Sequence, residues 1–186
     1  VDLVESPMKL AHKELIEKVT NTGGTIVFDP NVRLPLWKDE ADCKSAIHEF
    51  IPLAHIVKIS DEELEFVTGI ADEKHAIQWL FQGNVNVVIY TKGADGAVIY
   101  FKDGNEISQQ GFKVKAIDTT GAGDAFIGAL ISRLLTSDST DVISLLKSEG
   151  KSILEFSNYV AAMVTTKYGA ISSIPSLEEV NKAIKS

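Results

Sequence analysis

The sequence predicts a doubly wound α/β fold, in which a mostly parallel sheet is flanked by helices. Short apolar runs at 25–29, 55–59 and 85–90 alternate with segments whose apolar residues recur every three or four positions. Strands that alternate with helices need crossover connections, and such strands become parallel and buried on both faces. No repeat, low-complexity tract or long linker interrupts the chain, so residues 1–186 are predicted to be part of a single domain.

The first half of the chain supplies this alternation. A helix is predicted behind Ser6-Pro7, because apolar residues follow at helical spacing until Gly23-Gly24 ends the pattern. Further helices are predicted at about 40–50, 61–67 and 72–82, between the three apolar runs.

The second half begins with a glycine-rich turn at 93–96. The apolar runs Ala97–Phe101 and Phe112–Ile117 are predicted as strands of an antiparallel edge. The remainder is predicted to be helical over Ala122–Leu135, about 141–166 and 177–185, with a polar break at 138–140.

The composition excludes several classes of function. The 18 Lys and Arg residues against 26 Asp and Glu give a net charge of −8, so nucleic acid is not an expected partner. The single cysteine, Cys43, and four dispersed histidines offer no internal disulfide and no zinc-ligand spacing. No apolar run reaches the roughly 20 residues of a membrane span, and the first residues lack signal-peptide features. The prediction is therefore a cytoplasmic protein without a membrane partner.

The strongest chemical motif is the segment from Asp118 to Asp124, which reads DTTGAGD. Small residues at the start of a helix expose backbone amides at the positive end of the helix dipole, which makes an anion site from Gly121, Ala122 and Gly123. Asp124, in the first helical turn, could accept a proton from a hydroxyl that attacks a bound phosphoryl group. The alternative is an ordinary glycine-rich turn, in which the dipole alone favours the aspartate.

Asp118–Leu130 resembles the carboxy-terminal signature of the ribokinase-like (PfkB) carbohydrate kinases, and the resemblance extends from Phe28 to Pro175. It implies a ribokinase-like fold and an enzyme that transfers the γ-phosphoryl group of ATP to a sugar hydroxyl, with Mg²⁺. In that family the last aspartate of the signature is the catalytic base, a role that falls on Asp124.

The block Phe28–Trp37 resembles the fructokinase and 2-keto-3-deoxygluconate kinase branches of the family. The resemblance makes Asn31 and Arg33 candidate sugar-binding residues, since an amide can bond hydroxyls and a guanidinium can bind phosphate or a sugar acid. The alternative is a Pro-led turn in which Asp29 and Asn31 bond the local backbone.

The block Lys58–Gly69 resembles the family's Asn-x-x-Glu element, which organises hydrated magnesium and the triphosphate. Ser60 stands where the family has Asn, so Glu63 is the clearer candidate for magnesium, through water. Lys58 and Ser60 become candidate nucleotide-binding residues. Ser60-x-x-Glu63 is also the pattern of a capping box, which needs no ligand.

Two further sets of residues follow from the resemblance alone. Nucleotide binding is implied for the turn with Thr91, Gly93 and Gly96, and for Asn158. A monovalent cation, with K⁺ as the candidate, is implied for main-chain and side-chain oxygens of Asp118, Thr120, Val164, Lys167, Gly169 and Ser173.

Relatives in this family carry a long segment ahead of the matched region, with several strands, most of the sugar pocket and a small β lid. The chain is therefore expected to be a carboxy-terminal portion, incomplete at its amino terminus, without the lid and inactive alone. A homodimer of the full-length protein is also expected. Fructose is the expected substrate, and 2-keto-3-deoxygluconate, another sugar acid and a riboside remain open. Two other classes also remain, a non-catalytic scaffold relative and a nucleotide-sensing module.

Overall fold

The computed structural model describes residues 3–139 and 141–184. These residues divide into two compact units, the first with residues up to 91 and 100–105, the second with 92–99 and 106 onwards. The single-domain expectation stays a prediction.

The first unit holds three parallel strands and the helices between them. The strands are β1 (Val27–Phe28), β2 (Ile56–Ser60) and β3 (Val87–Thr91), and the helices are α1 (Pro7–Asn21), α2 (Glu40–Phe50), α3 (Asp61–Thr68) and α4 (Glu73–Leu80). Val27 lies opposite Ile56, which in turn lies opposite Val87, so all three strands run in one direction. The first four residues of β2 and of β3 are buried, as parallel strands covered on both faces should be. The predicted alternation is confirmed here.

Helix α1 forms as predicted, but its apolar side faces outward. Met8, Leu10 and Leu15 are each more than half exposed. The opposite side carries Lys9 and Lys13, which both pair with the carboxylate of Glu49 on α2. Lys13 and Lys9 hold the pKa of Glu49 below its ordinary value of 4.5.

The second unit is mostly helical. Its helices are α5 (Ala122–Leu135), α6 (Val142–Val164) and α7 (Leu177–Ile184), and its strands are the first part of β4 (Ala97–Phe101) and β5 (Glu106–Gln109). Strand β5 neighbours β4 at the end of the strand order β1-β2-β3-β4-β5. The bounds of α5 and β4 match the predicted ones. The predicted α/β class, with a sheet flanked by helices, is confirmed.

The predicted strand Phe112–Ile117 is wrong, because the last strand lies earlier, at Glu106–Gln109. The 112–117 segment is irregular, and Val114 and Ile117 are exposed. Its apolar residues alternate with lysines, which is also the pattern of a half-buried strand and is why the sequence predicts a strand here. No described strand pairs with this segment. The backbone N–H of Ile117 instead donates to the carbonyl of Thr165.

Candidate active site

The site in the second unit is built around the start of α5. Gly121 caps the helix in the left-handed region, with φ of 79°. A Cβ atom at this position would lie 2.4 Å from the Cβ of Ala170. Both the dihedral angle and the contact require glycine here.

Two of the three predicted anion-binding amides are available. The N–H of Ala122 donates to the carbonyl of Thr119 at 3.2 Å, so this amide closes a turn. Across residues 3–139 and 141–184, the N–H groups of Gly121 and Gly123 donate to no protein acceptor. The Ala122 N–H is therefore engaged in a turn, and the predicted catalytic roles of Gly121, Ala122 and Gly123 stay predictions.

Asp124 lies in the first turn of α5 and is exposed. A carboxylate there is stabilised by the positive end of the helix dipole. The side chain is not buried in the interior, so a ligand at the helix start can reach it. Its assignment as the catalytic base stays a prediction.

The two segments predicted to hold a monovalent cation lie next to each other. The carboxylate of Asp118 accepts from the N–H of Thr120 at 2.9 Å. Bonds from Thr120 and from the backbone of Gly169 lower the pKa of Asp118. The N–H of Asp118 also donates to the carbonyl of Thr165 at 3.1 Å, which fixes the 118–120 segment to the end of α6.

The other predicted cation residues flank this junction. Val164 is buried at the end of α6, and Lys167 is exposed just beyond it. Ser173 is buried, and its hydroxyl donates to the carbonyl of Gly169. The juxtaposition that a cation would need is present, and cation binding itself stays a prediction.

Three of the predicted nucleotide-binding residues gather near the end of β5. Gly96 has φ of 98°, and a Cβ there would lie 2.2 Å from the carbonyl oxygen of Gln109. Asn158, buried on α6, donates from Nδ2 to the carbonyls of Gln109 and Gln110 at 3.2 and 3.3 Å. A Cβ at Gly93 would meet nothing within 4 Å, so this side of the turn is open to a ligand. The contacts of Gly96 and Asn158 were not predictable from the sequence, because they join segments distant along the chain.

In the first unit, polar residues cluster where β1 and β2 end. Lys58 is 5 % exposed, and its Nζ lies 3.1 Å from Oδ2 of Asp29. Burial raises the pKa of Asp29, against the opposing effect of the Lys58 ammonium. The predicted role of Lys58 in nucleotide binding is untested, and its ammonium is already paired. Thr91, at the end of β3, donates to the carbonyl of Ile59 at 3.4 Å.

Glu63 has bonds from three protein donors. Its Oε2 accepts from the N–H of Ser60 at 3.1 Å and from the Ser60 hydroxyl at 2.7 Å. Its Oε1 accepts from the N–H of Val32 at 2.7 Å. The capping-box interpretation is confirmed, and the magnesium role stays a prediction.

Asn31 and Arg33 lie in the loop that follows β1. Asn31 adopts φ of 44°, and its N–H donates to Oδ1 of Asp29 at 3.3 Å. This is the local turn that the sequence offered as an alternative. Arg33 is exposed, and its Nη1 donates to the carbonyl of Val32 at 3.1 Å. A guanidinium in this position can reach a ligand in solvent.

The comparisons with known proteins agree with this architecture. The model of the pfkB family of carbohydrate kinases matches residues 2–177, and the chain belongs to this family of enzymes. Fructokinase-2 of Solanum lycopersicum is 36 % identical over 190 residues, which cover 100 % of this chain and 56 % of that protein. The chain thus spans about half the length of the curated relatives it matches.

Solved structures agree as well. A fructokinase from Vibrio cholerae O395 in fructose, ADP and calcium ion bound form has a TM-score of 0.87 and 30 % identity, over 97 % of this chain and 57 % of that one. Aminoimidazole riboside kinase from Salmonella enterica, complexed with aminoimidazole riboside and an ATP analog, has a TM-score of 0.86 and 30 % identity, over 100 % and 60 %.

Membrane-spanning helices and clusters of metal ligands are both absent from the described residues. None of the described helices has the length and apolar character needed to span a bilayer. No group of three or more His, Cys, Asp or Glu side chains that could hold a metal ion occurs within 3–139 and 141–184.

Proposed function

We propose that the complete protein containing this chain is an ATP-dependent sugar kinase that phosphorylates a hexose hydroxyl, with fructose as the first candidate. The observation that carries the proposal is the start of α5, where the N–H groups of Gly121 and Gly123 have no acceptor among the described residues and the exposed Asp124 lies beside them. Nearly all of the catalysis in phosphoryl transfer comes from positioning and from stabilising charge, and this turn can supply both.

In the proposed reaction, Asp124 accepts the proton of the sugar hydroxyl, and the hydroxyl oxygen forms a bond to the γ-phosphorus. The bond from that phosphorus to the β–γ bridging oxygen breaks, and its electron pair leaves with ADP. The N–H groups of Gly121 and Gly123 stabilise the negative charge on the phosphoryl oxygens during the transfer.

Mg²⁺ would neutralise triphosphate charge when bound. Mg²⁺ usually keeps several waters and needs only one or two protein carboxylates besides phosphate oxygens. K⁺ is proposed at the junction of the 118–120 and 164–173 segments, supported by the bond from the Asp118 N–H to the Thr165 carbonyl, which holds these segments side by side.

The choice of fructose is supported by the fructokinase names of the relatives and by the fructose in the Vibrio cholerae structure. The Salmonella enterica riboside kinase keeps a riboside as an alternative, and 2-keto-3-deoxygluconate or another sugar acid remains one because Arg33 could serve a carboxylate. A panel of these substrates, ranked by kcat/KM, decides among them. A cytoplasmic location and a homodimer remain predictions about the complete protein.

The test is sugar-dependent ADP release by the complete gene product and its Asp124→Asn variant. Loss of the base should lower turnover by about 10² to 10⁴-fold while ATP affinity changes little. Glu178→Gln, a first-turn carboxylate of α7, is the matched control and should leave turnover unchanged. Near-normal turnover in Asp124→Asn would remove this residue from the mechanism.

The same assay separates the other classes of protein. ATP binding without sugar-dependent ADP release would favour a nucleotide-sensing module, and loss of both would favour a non-catalytic scaffold. The isolated 186 residues are expected to bind ATP without turnover, because most of the sugar pocket is expected outside them.

A further inference from the structure

The loop of residues 29–33, called the 29–33 loop, is held at both ends by the β2–α3 segment. At its beginning, the Asp29 carboxylate is paired with the buried Lys58 at 3.1 Å. Near its end, the N–H of Val32 donates to Oε1 of Glu63 at 2.7 Å. Asn31 and Arg33, the candidate sugar-binding residues, lie between or next to these two attachments.

The attachment through Glu63 is well suited to fixing a position. Hydrogen bonds to a carboxylate are shorter and stronger than bonds between neutral groups. Glu63 is itself held by two bonds from Ser60 and belongs to the first turn of α3, so it has little freedom to move. The Val32 side chain also packs against the first unit's hydrophobic core.

The loop needs such an attachment because part of its backbone is unfavourable. Asn31 has φ of 44°, and a non-glycine residue in the left-handed region costs free energy that the surroundings must offset. Without the Glu63 bond, the Val32 N–H would lose its partner and Asn31 could relax towards commoner dihedral angles. Both changes would move the side chains of Asn31 and Arg33.

We infer that Glu63 is a positioning residue for sugar binding, acting on Asn31 and Arg33 through the backbone of Val32. The inference rests on the proposed function, since it takes those two residues as sugar contacts. Ser60 supports the arrangement, because its short hydroxyl donates directly into the same carboxylate. A water-mediated magnesium contact of Glu63 is a separate matter and predicts a different effect on kinetics.

The contact itself can be tested on the complete gene product by hydrogen exchange of the Val32 amide, measured by NMR. Glu63→Ala should speed this exchange at least tenfold, because a bond to a charged acceptor is lost. Glu62→Ala removes an exposed carboxylate from the same turn and is the matched control, with exchange within about twofold of the parent. Equal exchange rates in the two variants would overturn the inference.

A conservative variant keeps the test decisive if Glu63→Ala does not fold. Glu63→Gln retains one acceptor oxygen, for which the Val32 N–H competes with the Ser60 N–H, so it should restore part of the protection. Exchange as fast in Glu63→Gln as in an unprotected amide would contradict a role that depends on this acceptor.

Kinetics of the complete gene product test the consequence for sugar binding. Glu63→Gln and Glu63→Ala should raise KM for the sugar in that order, reaching about tenfold, whatever their effect on KM for ATP and on the magnesium midpoint. A rise confined to ATP or magnesium would overturn the positioning role. If the protein phosphorylates no sugar, the proposed function fails, and the exchange test still decides whether Glu63 holds the loop.

Discussion

Gly121, which caps α5, is crowded by a neighbouring side chain, whereas Gly128 within α5 faces open space. Replacing each glycine by alanine therefore tests the structure of the candidate site. At Gly121 the left-handed φ of 79° costs an alanine about 1–2 kcal/mol. Its Cβ would also lie 2.4 Å from the Cβ of Ala170, and relieving such a contact costs about 1–3 kcal/mol. Gly121→Ala should therefore lose about 2–5 kcal/mol. At Gly128 a Cβ meets nothing within 4 Å, so Gly128→Ala should gain about 0.5–1 kcal/mol.

Urea unfolding of the 186-residue chain, followed by circular dichroism, measures both variants. With a slope of about 2 kcal/mol per molar urea, Gly121→Ala should lower the midpoint by about 1–2.5 M. Tryptophan fluorescence would not suit this test, because Trp37 and Trp79 both lie in the first unit. A midpoint for Gly121→Ala at or above that of Gly128→Ala would refute the argument about the turn, and with it the position of the candidate anion-binding amides.

Three further variants test contacts seen in the structure, each by urea unfolding. Asp29→Asn should lose about 3–5 kcal/mol, because Lys58 would stay buried without a charged partner, and a loss below about 0.5 kcal/mol would contradict that. Glu49→Gln should lose about 0.5–1 kcal/mol at neutral pH. The pKa of Glu49 is lowered in the folded protein, so its ion pairs stabilise the fold at pH values above the ordinary pKa of 4.5. The difference in stability between Glu49→Gln and the parent should therefore vanish as the pH falls below 4.5. A difference that stays constant with pH would argue against the lysine pairs. Asn158→Ala should lose about 1–3 kcal/mol, and Asn158→Asp should lose more because a carboxylate would face two carbonyls; the reverse order would mean that Asn158 does not donate to them.

Most of the fold could be predicted because local signals and tertiary packing agree. The Ala97–Phe101 run is a strand over the predicted residues, and the small residues before Ala122–Leu135 mark a helix start without help from distant segments. The 112–117 segment has the same alternation as a strand but no described partner strand. A strand depends on its neighbour for hydrogen bonds, and one segment's pattern does not contain that information.

The orientation of α1 shows that the pattern of one segment is also insufficient for a helix. The spacing of its apolar residues predicts the helix, and the helix is there. Spacing does not say which side faces the rest of the unit, and here the lysines that pair with Glu49 take that side. Ile16 of α1 also packs against the cluster of Leu3, Ala46 and Phe50, so the orientation of the helix depends on contacts with residues distant along the chain.

The candidate site separates two kinds of residue that look alike in the sequence. Lys58, Glu63 and Asn158 are polar residues in family motifs, yet each already bonds the protein and holds another segment in place. Gly121 and Gly123 have no side chain that could suggest a function. Their backbone N–H groups, at the start of α5, have no protein acceptor among the described residues. A buried polar group must find a partner, so a satisfied side chain indicates support, and an unsatisfied donor at an accessible helix start indicates a place for a ligand. By this physical criterion, the start of α5 remains the proposed place for a phosphoryl group in the second unit. Within the first unit, the 29–33 loop is a proposed sugar-binding segment that satisfied side chains hold in place.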